Sequence, residues 1–288
     1  MRSTPAFETV GPEILQEYLD TASDFAFELR TKRALAEAKV EHEHGGSYVD
    51  STTGKVRQFD LRAWVSSRTS LNCAIELNLA VECKNIRDFN PLLVHCVPRE
   101  EHECFHEISF NTGSEAGDLR CTGRDSRYKL GELTGKSWAQ VNKPAKKDAR
   151  VTGGDSEIYD KWAQALASAN DLLRIPGGKP PGGYRYCIVL PIVGIPDGML
   201  WMVEYDSTGN QVGDCKLTNH VSYFVNFSYK VRFANQMASY VASHIEIMTL
   251  SMFSGFADLL NKPSFLRELL PDHVIWSVMP QAQQGYRP

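Results

Sequence analysis

The chain has 288 residues, of which 42% are hydrophobic and 23% charged, with a formal net charge of −4 and a pI near 6.1. This composition is typical of a soluble globular protein and offers no overall attraction for a polyanion, so nucleic-acid contact is expected only from a local basic patch. The sequence contains no run of about 18 apolar residues, so no transmembrane helix is predicted. The N-terminus lacks the apolar core of a signal peptide. Seven scattered cysteines indicate reduced thiols in the cytoplasm.

A long helix is predicted over residues 12–38. Apolar residues recur there close to the 3.6-residue period, and Pro12 suits the first helical turn. Glu28 lies near the middle of this segment, between Phe27 and Leu29. A lone acid on an amphipathic helix is usually solvated, but these apolar neighbours favour a semi-buried carboxylate.

Three antiparallel strands are predicted next, over residues 40–49, 56–65 and 75–84. Successive side chains of a strand point to opposite faces, so Glu82 and Lys84 project together at the end of a mostly apolar strand. Asp60 lies on the neighbouring strand, at a corresponding height if the register permits. An acid and a lysine at the end of a buried strand are costly to keep without a partner, which indicates a site.

The rest of the chain reads as further strands and helices in one domain spanning residues 1–288. Its core is expected over about 12–205, followed by an extension over about 206–270 and a polar tail. PGGKPPGG (176–183) breaks the pattern and is read as a loop. The expected elements are a short strand or helix at 92–97, a helix at 155–173, strands at 184–193, 199–205, 221–227 and 245–250, and a helix at 252–260.

A cluster of histidines and cysteines invites comparison with zinc sites. Structural zinc sites usually show two tight ligand pairs such as C-x₂-C, and these spacings match no common pattern, so core cysteines and surface histidines are the favoured interpretation. The residues concerned are Cys96, His102, Cys104, His106 and Cys121.

Residues 124–150 are strongly basic, with eight lysines and arginines against three acids. One interpretation is a mobile solvated loop. The other is a flap that contacts phosphate beside the acidic site, because lysine and arginine supply the sequence-independent part of nucleic-acid binding. The candidate contacts within it are Lys143, Lys146 and Lys147.

Asp60, Glu82 and Lys84 have the chemistry needed for metal-dependent phosphodiester cleavage. The two carboxylates are hard oxygen ligands of the kind Mg²⁺ prefers, with Mn²⁺ as a substitute. A bound metal lowers the pKa of a water molecule and neutralises charge on the phosphate. Lys84 can orient that water or stabilise the transition state. The alternative is an ordinary edge-strand ion pair between Glu82 and Lys84.

The spacing D-x₂₁-E-x-K resembles the PD-(D/E)xK nuclease superfamily, the restriction-endonuclease-like fold. The order of one helix, three strands and a helix is similar to that family's core. The resemblance implies an α/β fold with an α+β core, in which a central mixed sheet is flanked by helices. It covers residues 20–90 well and 155–205 loosely, and the family's proline before the first acid is replaced by Phe59.

The resemblance also implies roles for individual residues. Asp60 and Glu82 would bind the metal, Lys84 would assist the nucleophile, and Glu28 matches a helix glutamate that many members use as a further ligand. Arg57 and Asn85 are weaker candidates for phosphate contact. Cys83 is expected to pack in the core.

Three functions follow as expectations. The first is a Mg²⁺-dependent nuclease acting on DNA, in restriction, defence or repair, with a homodimer or a partner subunit for targeting. The second is a non-catalytic module of the same fold that binds nucleic acid or protein. The third is an RNA-cleaving effector, for which no RNA-recognition signature is present.

Overall fold

The computed structural model describes residues 10–21, 23–68, 73–86, 90–111, 116–142, 151–154, 156–173, 185–233 and 236–278. Within these residues the chain forms six α-helices and thirteen β-strands. None of these helices is long and apolar enough to cross a membrane. The helices are α1 (Pro12–Thr21), α2 (Phe25–Glu37), α3 (Ser156–Leu172), α4 (Leu250–Leu260), α5 (Pro263–Leu269) and α6 (Asp272–Val278). The strands are β1 (Glu41–Val49), β2 (Val56–Arg68), β3 (Ala74–Cys83), β4 (Leu92–Pro98), β5 (Phe105–Asn111), β6 (Ala116–Thr122), β7 (Leu133–Asn142), β8 (Thr152–Gly154), β9 (Arg185–Ile195), β10 (Leu200–Tyr205), β11 (Gln211–Leu217), β12 (His220–Phe233) and β13 (Gln236–Thr249).

The described strands form one mixed sheet. Its main path runs β1-β2-β3-β9-β13-β12-β7-β4-β10-β11, with β5 joined to β9 and β6, and β8 joined to β7. Four neighbouring pairs are parallel, namely β3 with β9, β9 with β13, β12 with β7, and β4 with β10. A mixed sheet flanked by helices is therefore confirmed.

Strand β3 is buried on both faces. Leu77, Leu79 and Val81 belong to a core cluster that also holds Phe27 of α2 and residues of α4, α5 and α6. Ala80 points the other way and packs with residues of α3. Strands covered on both faces are expected to be almost continuously apolar, and this explains the hydrophobic run that ends at Glu82.

Helix α3 directly precedes β9, the parallel neighbour of β3, and covers the face of the sheet opposite to α2. One half of the sheet holds the antiparallel strands β1, β2 and β3 together with β9, and β4 to β8 lie between β3 and α3 in the chain. The two helices thus approach the same strands from opposite sides.

The single helix predicted over 12–38 is wrong, since α1 and α2 are separate. Asn85 binds the segment between them, with its backbone N–H donating to Asp24 Oδ1 at 2.8 Å and its side chain donating to Ser23 O at 3.1 Å. The N–H of Phe25 donates to Ser23 Oγ as α2 begins. The apolar residues of α1 are more than half exposed, as Ile14 and Leu15 illustrate, so periodicity alone did not reveal where packing stops.

Most of the other predicted helices and strands are present, but several observed elements were not predicted. Residues 92–97 form strand β4, and the helices at 155–173 and 252–260 are present as α3 and α4. The predicted strand at 221–227 is part of the 14-residue strand β12, and the one at 245–250 is part of the 14-residue strand β13 up to Thr249, because Leu250 begins α4. Strands β12 and β13 lie between β9 and β7 in the sheet. Helices α5 and α6 and strands β5, β6, β8 and β11 were not predicted. The PGGKPPGG segment and the polar tail lie outside the described residues.

Candidate active site

Asp60 and Glu82 lie side by side at the end of the first three strands. Strands β2 and β3 are antiparallel with Leu61 opposite Val81, so the next residues outward are the two acids. The backbone N–H of Cys83 donates to Asp60 Oδ2 at 2.7 Å. The Cys83 side chain is buried in the core, as expected. The predicted juxtaposition of the acids is therefore present.

Glu82 is fully buried, and neither of its carboxylate oxygens has a hydrogen-bond partner among the described residues. Burial raises its pKa well above the ordinary value of 4.5, and the nearby charge of Asp60 raises it further. A buried carboxylate without donors is unfavourable unless a cation or a proton compensates its charge. Among the described residues, Lys161 supplies part of this compensation, with its Nζ 3.7 Å from Glu82 Oε2.

Glu246 on β13 is also a fully buried glutamate, but unlike Glu82 its carboxylate is hydrogen-bonded. Four side chains bind its two oxygens at 2.6–3.3 Å: those of Arg127, Tyr128, His220 and Ser222. Burial would raise the pKa of Glu246, but the charges of Arg127 and His220 hold it well below the ordinary value of 4.5. Glu246 is a satisfied structural carboxylate, whereas Glu82 is not.

Lys161 of α3 is the cation closest to the two acids. Its Nζ lies 2.7 Å from Asp60 Oδ2, 3.7 Å from Glu82 Oε2 and 3.9 Å from Asp24 Oδ2. Burial would lower the pKa of Lys161, but the charges of Asp60 and Glu82 outweigh it and raise the pKa above the ordinary value of 10.5. The side chain therefore stays protonated and acts as a positive charge, not as a base.

Arg62 holds α3 in place beside Asp60. It lies on β2 two residues after Asp60, on the same face of the strand. Its Nη1 donates to Asp171 Oδ2 at 2.9 Å and its Nε to Ser168 Oγ at 3.1 Å. These contacts fix the helix that carries Lys161 against the strand that carries Asp60.

Lys84 follows β3 and reaches the start of α2. Its Nζ lies 3.8 Å from Asp24 Oδ2, and its backbone N–H continues the pairing of β3 with β9 by donating to Gly194 O at 2.9 Å. Asn85 binds Asp24 and Ser23, as described above. Asn85 therefore positions the N-terminus of α2, a role different from the phosphate contact suggested by the sequence.

Glu28 of α2 is semi-buried, which confirms the expectation from its neighbours. Its Oε2 lies 3.3 Å from Nε2 of His44 on β1, and each side chain is 16% exposed. Burial raises the pKa of Glu28, and the charge of Asp60 adds to the effect. The structure pairs Glu28 with His44 and does not bring it to Asp60 and Glu82 as a third ligand.

Asp60 and Glu82 are the carboxylates available to a divalent cation at this strand end. In the part of the chain that the structure describes, no group of three or more His, Cys, Asp or Glu side chains is arranged to hold a metal ion. Mg²⁺, however, is commonly held by one or two carboxylates, with water and phosphate as the other ligands. Glu82, whose oxygens accept no hydrogen bond among the described residues, and the adjacent Asp60 fit that two-carboxylate pattern.

The other candidate nucleic-acid contacts are engaged within the protein or lie outside the described residues. Arg57 Nε donates to Asp50 Oδ2 at 2.6 Å in the β1–β2 turn. Within the basic segment, residues 133–142 form strand β7 and not a loop or flap. Lys136 pairs with Glu103. Lys143, Lys146 and Lys147 lie outside the described residues.

The histidine and cysteine cluster divides between core and surface. Its cysteines are buried, as expected: Cys96, Cys104 and Cys121. His102 is exposed, but the expectation of a surface His106 is wrong. His106 Nε2 lies 2.8 Å from Leu269 O, and its Nδ1 accepts a hydrogen bond from the Arg127 N–H at 3.2 Å. Its ring nitrogens are thus committed to backbone groups.

Three residues of the site were not identified from the sequence: Asp24, His44 and Lys161. Asp24 was not singled out because it lies inside the segment predicted as one helix, and His44 was not singled out because it lies in a polar strand. Lys161 is 101 residues away from Asp60. No local pattern marks it, because only the packing of α3 on the sheet brings it to the carboxylates.

Comparison of the chain with protein-family models, with curated proteins and with solved structures found no match. Function must therefore be argued from the side chains and their chemistry.

Proposed function

We propose that this protein is a metal-dependent nuclease that hydrolyses phosphodiester bonds, with DNA as the expected substrate. One observation carries the proposal: Glu82, fully buried and without a hydrogen bond to either oxygen among the described residues, lies beside Asp60 at a strand end, with Lys161 next to both acids. A buried carboxylate pair is suited to holding a divalent cation against a phosphate.

The order of the elements supports the same proposal. The PD-(D/E)xK resemblance rests on a helix, three strands and a second helix, with the first acid on the second strand and E-x-K at the end of the third. The chain has α2, then β1, β2 and β3, with Asp60 on β2 and Glu82 and Lys84 at the end of β3, whereas the second helix, α3, follows only after β4 to β8. The restriction-endonuclease-like fold is thus part of the proposal.

Each residue has a role that follows from its charge and position. Asp60 and Glu82 would hold Mg²⁺ or Mn²⁺, which when bound activates water and neutralises phosphate charge. Lys84 donates hydrogen bonds to the phosphate or to the attacking water. Asp24 accepts the Asn85 N–H and lies near Lys84, so it positions the lysine. Glu28, bound to His44, shapes the edge of the site.

The test is to incubate the purified protein with supercoiled, linear and single-stranded DNA and with RNA. Each substrate is assayed with Mg²⁺, with Mn²⁺ and with a chelator. Cleavage of at least one DNA substrate, dependent on the divalent ion, is expected. A folded protein that cleaves none of the substrates with either ion would exclude the nuclease, and cleavage of RNA alone would assign the RNA effector.

A non-catalytic binding module is the second candidate, and one observation favours it. Lys161 already lies between Asp60 and Glu82, which gives the acid pair internal charge compensation. A titration with Mg²⁺ and Mn²⁺ separates the two functions. Lack of any affinity for either ion, both without and with a nucleic acid present, would support the module.

A further inference from the structure

We propose that Lys161 is an internal cation that competes with the divalent ion for Asp60 and Glu82. The metal would enter only when the Lys161 ammonium moves away. This inference rests on the proposed metal-dependent function and deepens it, since it concerns how the same site controls access of the ion.

The contacts of the ammonium carry the argument. Nζ of Lys161 lies 2.7 Å from Asp60 Oδ2 and 3.7 Å from Glu82 Oε2, which places it between the two proposed ligands. An Mg²⁺ ion lies about 2.1 Å from each ligand oxygen. An ion bound to that oxygen of Asp60 would therefore be within about 5 Å of the ammonium, where two positive charges in a buried site repel strongly.

Asp24 provides a position to which the ammonium can move. Its Oδ2 is 3.9 Å from Nζ of Lys161 and 3.8 Å from Nζ of Lys84. Its Oδ1 accepts the Asn85 N–H, so this carboxylate is held in place at the N-terminus of α2. The flexible four-carbon stem of a lysine allows such a shift without movement of the helix. Lys161 would then keep an ion pair while it releases Asp60 and Glu82.

The competition has a consequence for the protein without metal. The ammonium holds two adjacent carboxylates together and offsets the cost of burying Glu82. The same ammonium lowers the affinity for a free divalent ion. Binding is then favoured when a phosphate group enters with the ion, because the added negative charge stabilises both cations.

The first experiment measures Mn²⁺ affinity by isothermal titration calorimetry in the full chain. Lys161→Met removes the charge and keeps most of the length, whereas Lys161→Arg keeps the charge. We expect Lys161→Met to bind Mn²⁺ about tenfold more tightly than the wild type, because a repelling unit charge is removed. Lys161→Arg should bind no more tightly than the wild type. Lys136→Met removes a lysine that pairs with Glu103 and should leave the affinity unchanged.

A second measurement uses the wild-type protein and does not depend on the stability of a variant. The Nζ resonance of Lys161, assigned with Lys161→Arg, is followed by ¹⁵N NMR during titration with Mg²⁺. We expect it to shift as the ammonium leaves Asp60. A resonance that stays unchanged at saturating Mg²⁺ would overturn the proposal, as would a folded Lys161→Met variant that binds Mn²⁺ no more tightly than the wild type, or not at all.

The failure of this inference differs from the failure of the proposed function. Metal-dependent cleavage by a protein whose affinity is unchanged in Lys161→Met would refute the competition alone. Tighter Mn²⁺ binding by Lys161→Met, in a chain that cleaves no nucleic acid, would refute the nuclease alone.

Discussion

The backbone N–H of Cys83 donates a hydrogen bond to Oδ2 of Asp60 at 2.7 Å. This contact ties the first acid to the peptide that lies between Glu82 and Lys84. Glu82 and the Lys84 backbone are held by the pairing of β3 with β9, and Asp60 lies directly beyond the last β2–β3 pair, Leu61 with Val81. Groups on rigid strands keep their mutual geometry, which catalysis requires.

Lys84→Ala should abolish metal-dependent cleavage while the protein stays folded. Loss of a charged donor to a developing negative charge is expected to reduce the rate by about a hundredfold or more. Cleavage is measured on the preferred DNA substrate, and folding by circular dichroism and thermal unfolding. Cleavage at the wild-type rate would show that Lys84 has no catalytic role.

Glu82→Gln should remove cleavage without lowering stability. Burial raises the pKa of Glu82, so its ionised form is unfavourable in the folded protein and a neutral amide relieves that cost. We expect the rate to fall by about a hundredfold or more and the melting temperature to stay equal or to rise.

Glu76→Gln is the matched control for Glu82→Gln. Glu76 lies on the same face of β3, six residues before Glu82, and pairs with Arg185 at 3.4 Å. Cleavage close to the wild-type rate is expected. An equal loss in both variants would mean that the effect of Glu82→Gln is not specific to the site.

Glu246→Ala should destabilise the fold by about 3–5 kcal/mol, because it leaves buried partners such as Arg127 without their charge. The pKa of Glu246 is held below its ordinary value of 4.5, so its stabilisation is present above that pH and is lost as the pH falls below it. Urea unfolding of both proteins at several pH values measures the difference. Glu37→Ala, which breaks an exposed pair with Arg33, should cost less than about 1 kcal/mol.

His106 should make the protein less stable as the pH falls from 6.5 to about 4. Burial lowers its pKa from 6.5 to about 4, so in this range the unfolded chain binds a proton that the folded chain does not. Stability therefore rises with pH between the two values, by roughly 3 kcal/mol in total. His106→Gln should flatten this part of the pH profile.

His102→Gln is the control for the histidine, since His102 is exposed. Its profile between pH 4 and 6.5 should follow that of the wild type. A His106→Gln profile as steep as the wild-type profile would show that other groups cause the acid sensitivity.

Local signals were enough to predict the strands that carry the two acids. The alternation around Asp60 and the apolar run that ends at Glu82 each follow from the two-residue period of a strand, and a short connection makes the strands antiparallel neighbours. The same kind of reasoning failed for the helix over 12–38. Its periodicity continues through residues 22–24, whereas in the structure α2 begins anew at Phe25, next to the contact of Asn85 with Asp24.

The basic segment shows a second limit of local reasoning. Its charge suggested a loop or flap, yet residues 133–142 form a strand that pairs with β4, β8 and β12. Strand pairing is non-local, so a polar composition does not exclude it. Arg127 lies in the same segment and binds Glu246 across 119 residues.

The sequence by itself determined that a carboxylate pair and Lys84 lie at one strand end, because side-chain direction on a strand depends only on residue parity. Only the tertiary structure decided which cation meets those carboxylates. Lys161 reaches Asp60 because α3 packs on β3 and β9, and Arg62 anchors that helix through Ser168 and Asp171. Such a contact depends on the packing of elements far apart in the chain, which no local spacing encodes.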